Sequence, residues 1–404
     1  MKKLSLSLLW SGVLFAFIGG PEVYSVSGIS IRLFDIACVL SFYSAVLYLL
    51  NVKKHLRISR YAVLGLIYPV CLVVSSLIGG LIYSYELGYF MGDARYIQSL
   101  LLISIIYIIY YDVGLMLSDF RYVVYLTVFV SLSFSILQVV HNFGLVGGQM
   151  LEWWFSGRTV ASSRPLGYTP GRYGGPYGSP SRLGLVSVIC MIYSILFIEG
   201  KYTRITVVLA CLVMLGLSAH RTSMVGIVVI LVVYIITNRN WSSTHVVSLS
   251  ALVSFPLIIY ILSINNFIEG GRVIKLIDIA LGDKSYHDVA GRWTHWKSAI
   301  RFWYNNYLWG TLSNPGPIAT ARPEISVIDS EWIKSIIRFG IFGPILLLIT
   351  FLSPLIAYGK GHRNNNVFFA MLIMFFLATA SINQTALSNT IGQVSLLLGV
   401  VSLN

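Results

Sequence analysis

Charge is scarce in this chain. Only 11% of its 404 residues are charged, against about 25% in an ordinary soluble domain, which excludes water as the solvent for most of its surface. Acidic side chains are rarer still, with 15 Asp and Glu beside 28 Lys and Arg. The four cysteines, Cys38, Cys71, Cys190 and Cys211, stand inside apolar runs with no CxxC pair and no His partner. Free Cys in such a place behaves as a small hydrophobe, so neither a disulfide framework nor a metal site is suggested. The chain has no P-loop, no GxGxxG after a strand, no HExxH and no GxSxG. It also lacks a paired-Asp motif at a membrane surface that would hold a metal for a nucleotide-sugar donor. No soluble basic stripe is present either, so the positive balance does not point to nucleic acid.

Apolar residues, in contrast, make up 56% of the chain. They gather in runs of roughly 17–25, each long enough to cross a hydrocarbon core. The runs recur from one end to the other and leave no stretch for a soluble domain. The reading is an all-α polytopic membrane protein, a single membrane domain over 1–404. Spans are expected at about 4–20, 31–51, 61–82, 94–111, 122–142 and 183–198. Six more are expected at about 205–219, 222–237, 246–264, 332–357, 367–384 and 387–402, about twelve in all. Met1-Lys2-Lys3 and the apolar run to Gly20 resemble a signal peptide, but no clear small-x-small cleavage site follows. A first transmembrane helix is the better reading.

Short loops set the orientation. With the N-terminus inside, the cytoplasmic segments hold Lys2, Lys3, Lys53, Lys54, Arg57, Arg60, Arg121, Lys201, Arg204, Arg239, Lys360 and Arg363. The short outer loops near 21–30 and 83–93 hold none of these charges, so both termini are expected in the cytoplasm. The cytoplasmic set accounts for 12 of the 28 basic residues and leaves 16 on the outer side or at outer helix ends. Most of these crowd into two long external segments, about 143–182 and 265–331. Long loops are exempt from the positive-inside rule, yet topology alone would not generate this excess. An anionic partner on the outer face is expected.

The first external segment runs Gly157-Arg158, Ser163-Arg164-Pro165-Leu166-Gly167-Tyr168 and then Gly171-Arg172-Tyr173-Gly174-Gly175-Pro176-Tyr177-Gly178-Ser179-Pro180-Ser181-Arg182. Gly and Pro break helices and let backbone approach a ligand closely. The aromatic rings among them offer stacking faces for sugars, Tyr168 and Tyr173 above all. A linker would be poorer in aromatics, so a folded, substrate-lining loop is expected. The second segment carries an amphipathic helix candidate over 292–303, where Trp296, Ile300 and Trp303 repeat at helical spacing with Arg292, His295 and Arg301 between them. Such a helix can lie in the interface with its Trp residues as an aromatic belt, and it can also form a lid over a lipid-phosphate site.

Arg221 is the strongest single residue. It sits in Leu217-Ser218-Ala219-His220-Arg221-Thr222-Ser223, at the outer hairpin between two highly apolar spans. A guanidinium near membrane depth lines a polar cavity or pairs with an anion, or else snorkels at a helix end. Arg164, Arg172, Arg182 and Arg292 are candidates for the same work, because the planar fork of Arg matches phosphate oxygens bidentately. Each could equally serve as a loop salt-bridge partner. The second segment also offers Asp283, His287, Asp288, His295, Glu324, Asp329 and Glu331. Asp329-Ser330-Glu331-Trp332 stands where the chain returns to the membrane. A carboxylate there can act as a general base or cap the helix that follows.

Three stretches carry a resemblance. Arg164-Pro165-Leu166-Gly167, leading to Pro180-Ser181-Arg182-Leu183-Gly184, is similar to an Arg-x-x-Gly element followed by a Pro-Asn helix start. Leu217-Ser218-Ala219-His220-Arg221 is similar to a Leu-Ser-x-x-Arg hairpin. Arg292-x3-Trp296, then Asn305 to Gly310, then Asp329-Ser330 ending Gly340-Ile341-Phe342-Gly343, is similar to an Arg-x3-Trp helix, a Pro-Leu-x-Gly turn and a His-Asn or Asp-Ser start with a Gly-x-x-Gly finish. Together these resemble the O-antigen polymerase and O-antigen ligase superfamily of bacterial envelope membrane proteins. The chain departs from the pattern at Tyr307, where the family turn has Pro, and at Ser181, where Asn is usual. Ligases usually carry His where Asp329 stands, which favours the polymerase branch.

The resemblance implies a GT-C-like glycosyltransferase of the bacterial inner membrane with its active site on the periplasmic face. Donor and acceptor would both be glycans on undecaprenyl pyrophosphate, and no cofactor or metal would be needed. Arg221, Arg292 and Arg164, assisted by Arg172 or Arg182, would hold the pyrophosphate, and Asp329 would be the base. Tyr168, Tyr173, Trp296 and His295 would contact the glycan. Besides the bilayer, a chain-length regulator and a flippase of the same pathway are candidate partners. Two rivals fit parts of this layout: a ligase that transfers finished glycan to a lipid A-core acceptor, and a lipid-linked oligosaccharide flippase or other transporter. The transporter should show internal repeats, and none is evident in the sequence.

Overall fold

The computed structural model describes residues 2–18, 22–26, 29–32, 35–40, 42–43, 46, 59–83, 113–145, 148–155, 166, 168–169, 171–237, 243–264, 296–301, 303–304, 310–311, 330–361, 364–383, 387 and 390–403. Its helices are α1 (Lys2–Ile18), α2 (Arg60–Tyr83), α3 (Val113–Asn142), α4 (Gly148–Phe155), α5 (Pro180–Phe197) and α6 (Lys201–Ser218). They continue with α7 (Arg221–Thr237), α8 (Ser243–Ile264), α9 (Glu331–Phe339), α10 (Phe342–Gly359), α11 (Asn365–Asn383) and α12 (Thr390–Val401). Two small antiparallel hairpins join them, β1 (Glu22–Val26) with β2 (Ile29–Arg32) and β3 (Tyr168–Thr169) with β4 (Arg172–Tyr173).

Among the described residues, five helical stretches are long and apolar enough to cross a membrane: Arg60–Ile78, Leu117–Asn142, Pro180–Phe197, Lys201–Ser218 and Phe342–Gly359. Shorter apolar helices run over Arg221–Ile236, Ser248–Ser263, Asn365–Ser381 and Ile391–Val401. Helices suit this setting because each satisfies its own backbone where no water can. The span expected at 94–111 lies outside the described residues, as do 33–34, 41, 44–45 and 47–51 of that expected at 31–51, and the loop near 21–30 forms the unforeseen β1–β2 hairpin.

The centre is α5. Every residue from Leu183 to Ile195 is buried, as expected of a helix that is apolar all round. It packs against α3, α6, α7, α8, α11 and α12. The outer helices keep open apolar faces, with Val63 and Val70 of α2, Phe129 of α3 and Leu355 of α10 exposed. Neighbours complete the backbone where proline interrupts it: beside Pro69 in α2, the Tyr68 amide donates to Thr350 Oγ1 of α10 at 3.2 Å.

Side-chain contacts fix which helix ends lie together. Gly184, in the second turn of α5, packs against His220 and Ser223, so the start of α5 meets the α6–α7 hairpin. Tyr234 near the end of α7 meets Phe368 near the start of α11, and Phe197 at the end of α5 meets Phe369. The end of α11 therefore lies at the same end of the bundle as Pro180 and Arg221. The opposite end gathers residues 198–201, the start of α2 and the end of α12, where Ser59 Oγ donates to the Leu403 carbonyl at 2.8 Å. There Arg204, 7% exposed, donates from Nε to the Ile198 carbonyl at 2.6 Å and closes the end of α5.

One expected element is corrected. The single span anticipated at 332–357 is two helices, α9 and α10, divided at Gly340. Gly340 has φ 62°, and a Cβ on Gly343 would overlap the Ser335 carbonyl, so both glycines are needed for so tight a turn. Along α9, Glu331 faces Tyr68 and Arg338 faces Ser75 and Ser76. The seven-residue offset is the same on both helices, so α9 runs beside α2 in the same direction, and α10 packs back along α2. This makes α9 a re-entrant arm that begins within the bundle, a placement tolerated where protein buries it.

Candidate functional site

The Gly- and Pro-rich stretch that leads into α5 is a folded surface built on α3. Gln138 uses its whole amide for this. Its Oε1 accepts from the Gly175 amide at 2.8 Å, while Nε2 donates to the Gly175 and Leu166 carbonyls at 3.2 and 3.1 Å. Tyr177 and Ser131 share a hydroxyl bond of 2.7 Å, and Trp154 Nε1 of α4 donates to the Pro176 carbonyl at 2.9 Å. The β3–β4 hairpin stacks Tyr168 on Tyr173, with centroids 5.6 Å apart and planes 26° from parallel. The Tyr168 hydroxyl pairs with His141 Nδ1 at 2.8 Å. Burial raises the hydroxyl pKa of Tyr168, Tyr173 and Tyr177 above the ordinary tyrosine value, which keeps them as neutral donors. Tyr173 is fully buried and shows no ring face at the surface, whereas Tyr168 is half-buried.

The arginines stand on this support. β4 packs against α5 and α6, which places Arg172, half-buried, at the end where α5 begins and α6 finishes. Arg182 is exposed in the first turn of α5, and Arg221 is half-buried as the first residue of α7. The hairpin that presents Arg221 is tightly specified. Ser218 Oγ accepts from the His220 amide at 3.2 Å, and His220 Nδ1 pairs with Ser223 Oγ at 2.8 Å. Between them Ala219 adopts φ 45°, the one non-glycine residue with positive φ among those described. Such left-handed strain is held only where surroundings dictate it, and it clusters at functional sites. Three of the five expected arginines thus share one end of the bundle. Arg164 and Arg292, with His295 and Asp329, lie outside the described residues.

The described residues between α8 and α9 are anchored on α9. Trp296 packs with Ala299 against Ile333, Ile336 and Ile337. The buried side of this helix therefore runs through Ala299, while Ile300, expected on it, is 38% exposed. Among the described residues the buried indole N–H groups of Trp296 and Trp303 meet no hydrogen-bond partner. Further on, the Thr311 amide donates to the Ile337 carbonyl at 2.9 Å, tying the segment to the end of α9.

At the start of α9 the capping residue is Ser330, whose Oγ accepts from the Ile333 amide at 3.5 Å and also donates to the Ser381 carbonyl at 3.4 Å. Glu331, one of the acids of the re-entry motif, is 2% exposed and accepts from the Tyr68 hydroxyl at 3.4 Å. Trp332 Nε1 donates to the Ala378 carbonyl at 3.3 Å. Nothing local in the sequence marks Tyr68 or Ser381 as neighbours of this turn. Among the described residues no three His, Cys, Asp or Glu side chains gather as a metal site.

Comparison with curated proteins finds no match. Residues 205–348 match the family model described as O-antigen ligase. That stretch holds the Arg221 hairpin, the helix at Trp296, α9 and the Gly340–Gly343 turn. The match covers roughly a third of the chain and makes that part of it similar to the O-antigen ligase family.

Proposed function

We propose that this multi-pass membrane protein acts in O-antigen assembly as a polymerase of undecaprenyl-pyrophosphate-linked repeat units, working at the periplasmic face of the bacterial inner membrane with both termini in the cytoplasm. The observation that supports the reading is that Arg172, Arg182 and Arg221 lie toward the same end of the bundle, where the Tyr168–Tyr173 pair is stacked. The site is cationic because its leaving group is anionic. Ordinary glycosides need a general acid because an alcohol leaves poorly. Pyrophosphate leaves well, so fixed guanidinium charges stabilise the negative charge that develops on it. An acceptor hydroxyl attacks the anomeric carbon from the opposite side and inverts it, its proton passes to Asp329 as base, and undecaprenyl pyrophosphate departs. Arg164 and Arg292 would complete the anion site, with Tyr168, Trp296 and His295 along the glycan. No metal ion or nucleotide takes part, and a chain-length regulator and flippase of the pathway would act beside it.

A ligase reading is favoured by the description of the matched family; Asp329, where ligases usually carry His, favours polymerisation. Purified protein with a synthetic lipid-linked repeat unit and excess chelator should yield a product ladder, and Arg221→Ala should abolish it, a loss of at least about 100-fold. Glycosylation of a lipid A-core acceptor without a ladder would establish the ligase instead. Normal polymerisation by Arg221→Ala would remove the centre of the mechanism.

A further inference from the structure

Arg338 is a charged side chain that the proposed chemistry leaves unused. It is 5% exposed, near the end of α9. Its Nε donates to Ser75 Oγ at 2.7 Å, and its terminal nitrogen donates to Ser76 Oγ and to the Leu72 carbonyl, the latter at 3.2 Å. A guanidinium enclosed between helices of a membrane domain is costly and is kept where it serves function. The partner surface on α2 is prepared for it. Ser75 and Ser76 both donate their own hydroxyl protons to the Leu72 carbonyl, at 2.9 and 2.7 Å, which leaves their oxygen lone pairs to accept from Arg338. A planar fork can reach three acceptors in this way, whereas a lysine ammonium presents a single point charge.

The opposite end of α9 is held as well, by Tyr68 on Glu331, by Ser330 on the Ser381 carbonyl and by Trp332 on the Ala378 carbonyl. Nine residues make a stiff rod of about 13 Å, so a shift at Arg338 is felt at Ser330. We propose that Arg338 is a positioning residue: by fastening α9 to α2 it sets the depth and rotation of the helix whose first residues, Ser330 and Glu331, follow the proposed base in sequence. The inference rests on the polymerase reading.

The test uses the full chain with the four native cysteines replaced by alanine. Arg338→Lys, Arg338→Met and the double variant Ser75→Ala/Ser76→Ala are compared by two readouts. One is steady-state polymerisation, with kcat and KM measured separately. The other is the distance between spin labels at Val74→Cys on α2 and Lys334→Cys on α9. A misplaced reacting group loses rate rather than affinity, so kcat should fall by about 10-fold to 100-fold with KM within about 2-fold. The label distance should shift or broaden in the same variants. Arg338→Lys and the serine pair keep the test open if Arg338→Met fails to fold. Unchanged distances, or a shifted distance with wild-type kcat, would overturn the proposal. So would a raised KM at constant kcat, which would make Arg338 a substrate contact. A wild-type protein that makes no polymer refutes the polymerase reading, while the label distances still decide whether Arg338 places α9.

Discussion

Gln138 converts a stretch rich in glycine and proline into a fixed surface, because one primary amide meets a donor and two acceptors of that stretch. Gln138→Ala would leave the Gly175 amide and carbonyl and the Leu166 carbonyl without it, a cost of about 1–3 kcal/mol. The expected result is a lower unfolding midpoint in detergent and weaker polymerisation, since Arg172 rides on the same stretch. Tyr177 adds a pH dependence. Its folded pKa lies above that of an unfolded tyrosine, so its stabilisation is complete below about pH 10 and is lost as pH rises beyond that value. Tyr177→Phe should flatten the alkaline fall of stability; an unchanged slope would assign it elsewhere. At this scale the folded turn that carries Arg172 was legible, because Gly and Pro interleaved with Tyr are unlike a linker. The cap was not. Asp and Ser are nearly equal at helix starts, and only the fold gives that place to Ser330.

The α9–α10 hairpin shows why elements were harder to read than residues. Hydropathy measures composition, and the apolar run through 341–348 conceals a chain reversal that rests on two glycines. Gly340 and Gly343 were visible as a motif, but their spacing alone does not say that the helix stops. The packing makes a sharp contrast testable within one helix. Gly343→Ala must displace the Ser335 backbone and should cost more than about 3 kcal/mol, enough to deplete the folded protein. Gly359→Ala meets nothing within 4 Å and should be neutral or stabilising by up to about 1 kcal/mol. Abundance in membranes and detergent melting curves would separate the two, and equal effects would contradict the tight turn. The β1–β2 hairpin escaped notice for another reason: nine or so residues between two spans carry too short an alternation to stand out.

For the whole molecule, the periodicity of apolar runs conveyed the all-helical class and most helix positions, while the pairing of distant helices was beyond it. Residues 72 and 338 are 266 positions apart, and no local pattern encodes such a meeting. The bundle has two chemically different ends, and the orientation proposed for it can be checked directly. A cysteine at Arg182 should react with an impermeant maleimide in intact spheroplasts, and one at Lys201 only after the membrane is opened. The reverse pattern would turn the molecule over and remove the periplasmic site.

The bond from Ser59 to the Leu403 carbonyl spans 344 residues of sequence, and α2 also packs on α10 and α12. During synthesis, at about 5–20 residues per second, α2 therefore enters the membrane some tens of seconds before its permanent neighbours exist. In that interval its exposed Ser75 and Ser76 face lipid or a borrowed partner. A ribosome stalled before residue 390 should therefore leave a protein that is inserted, unfinished and marked for proteolysis.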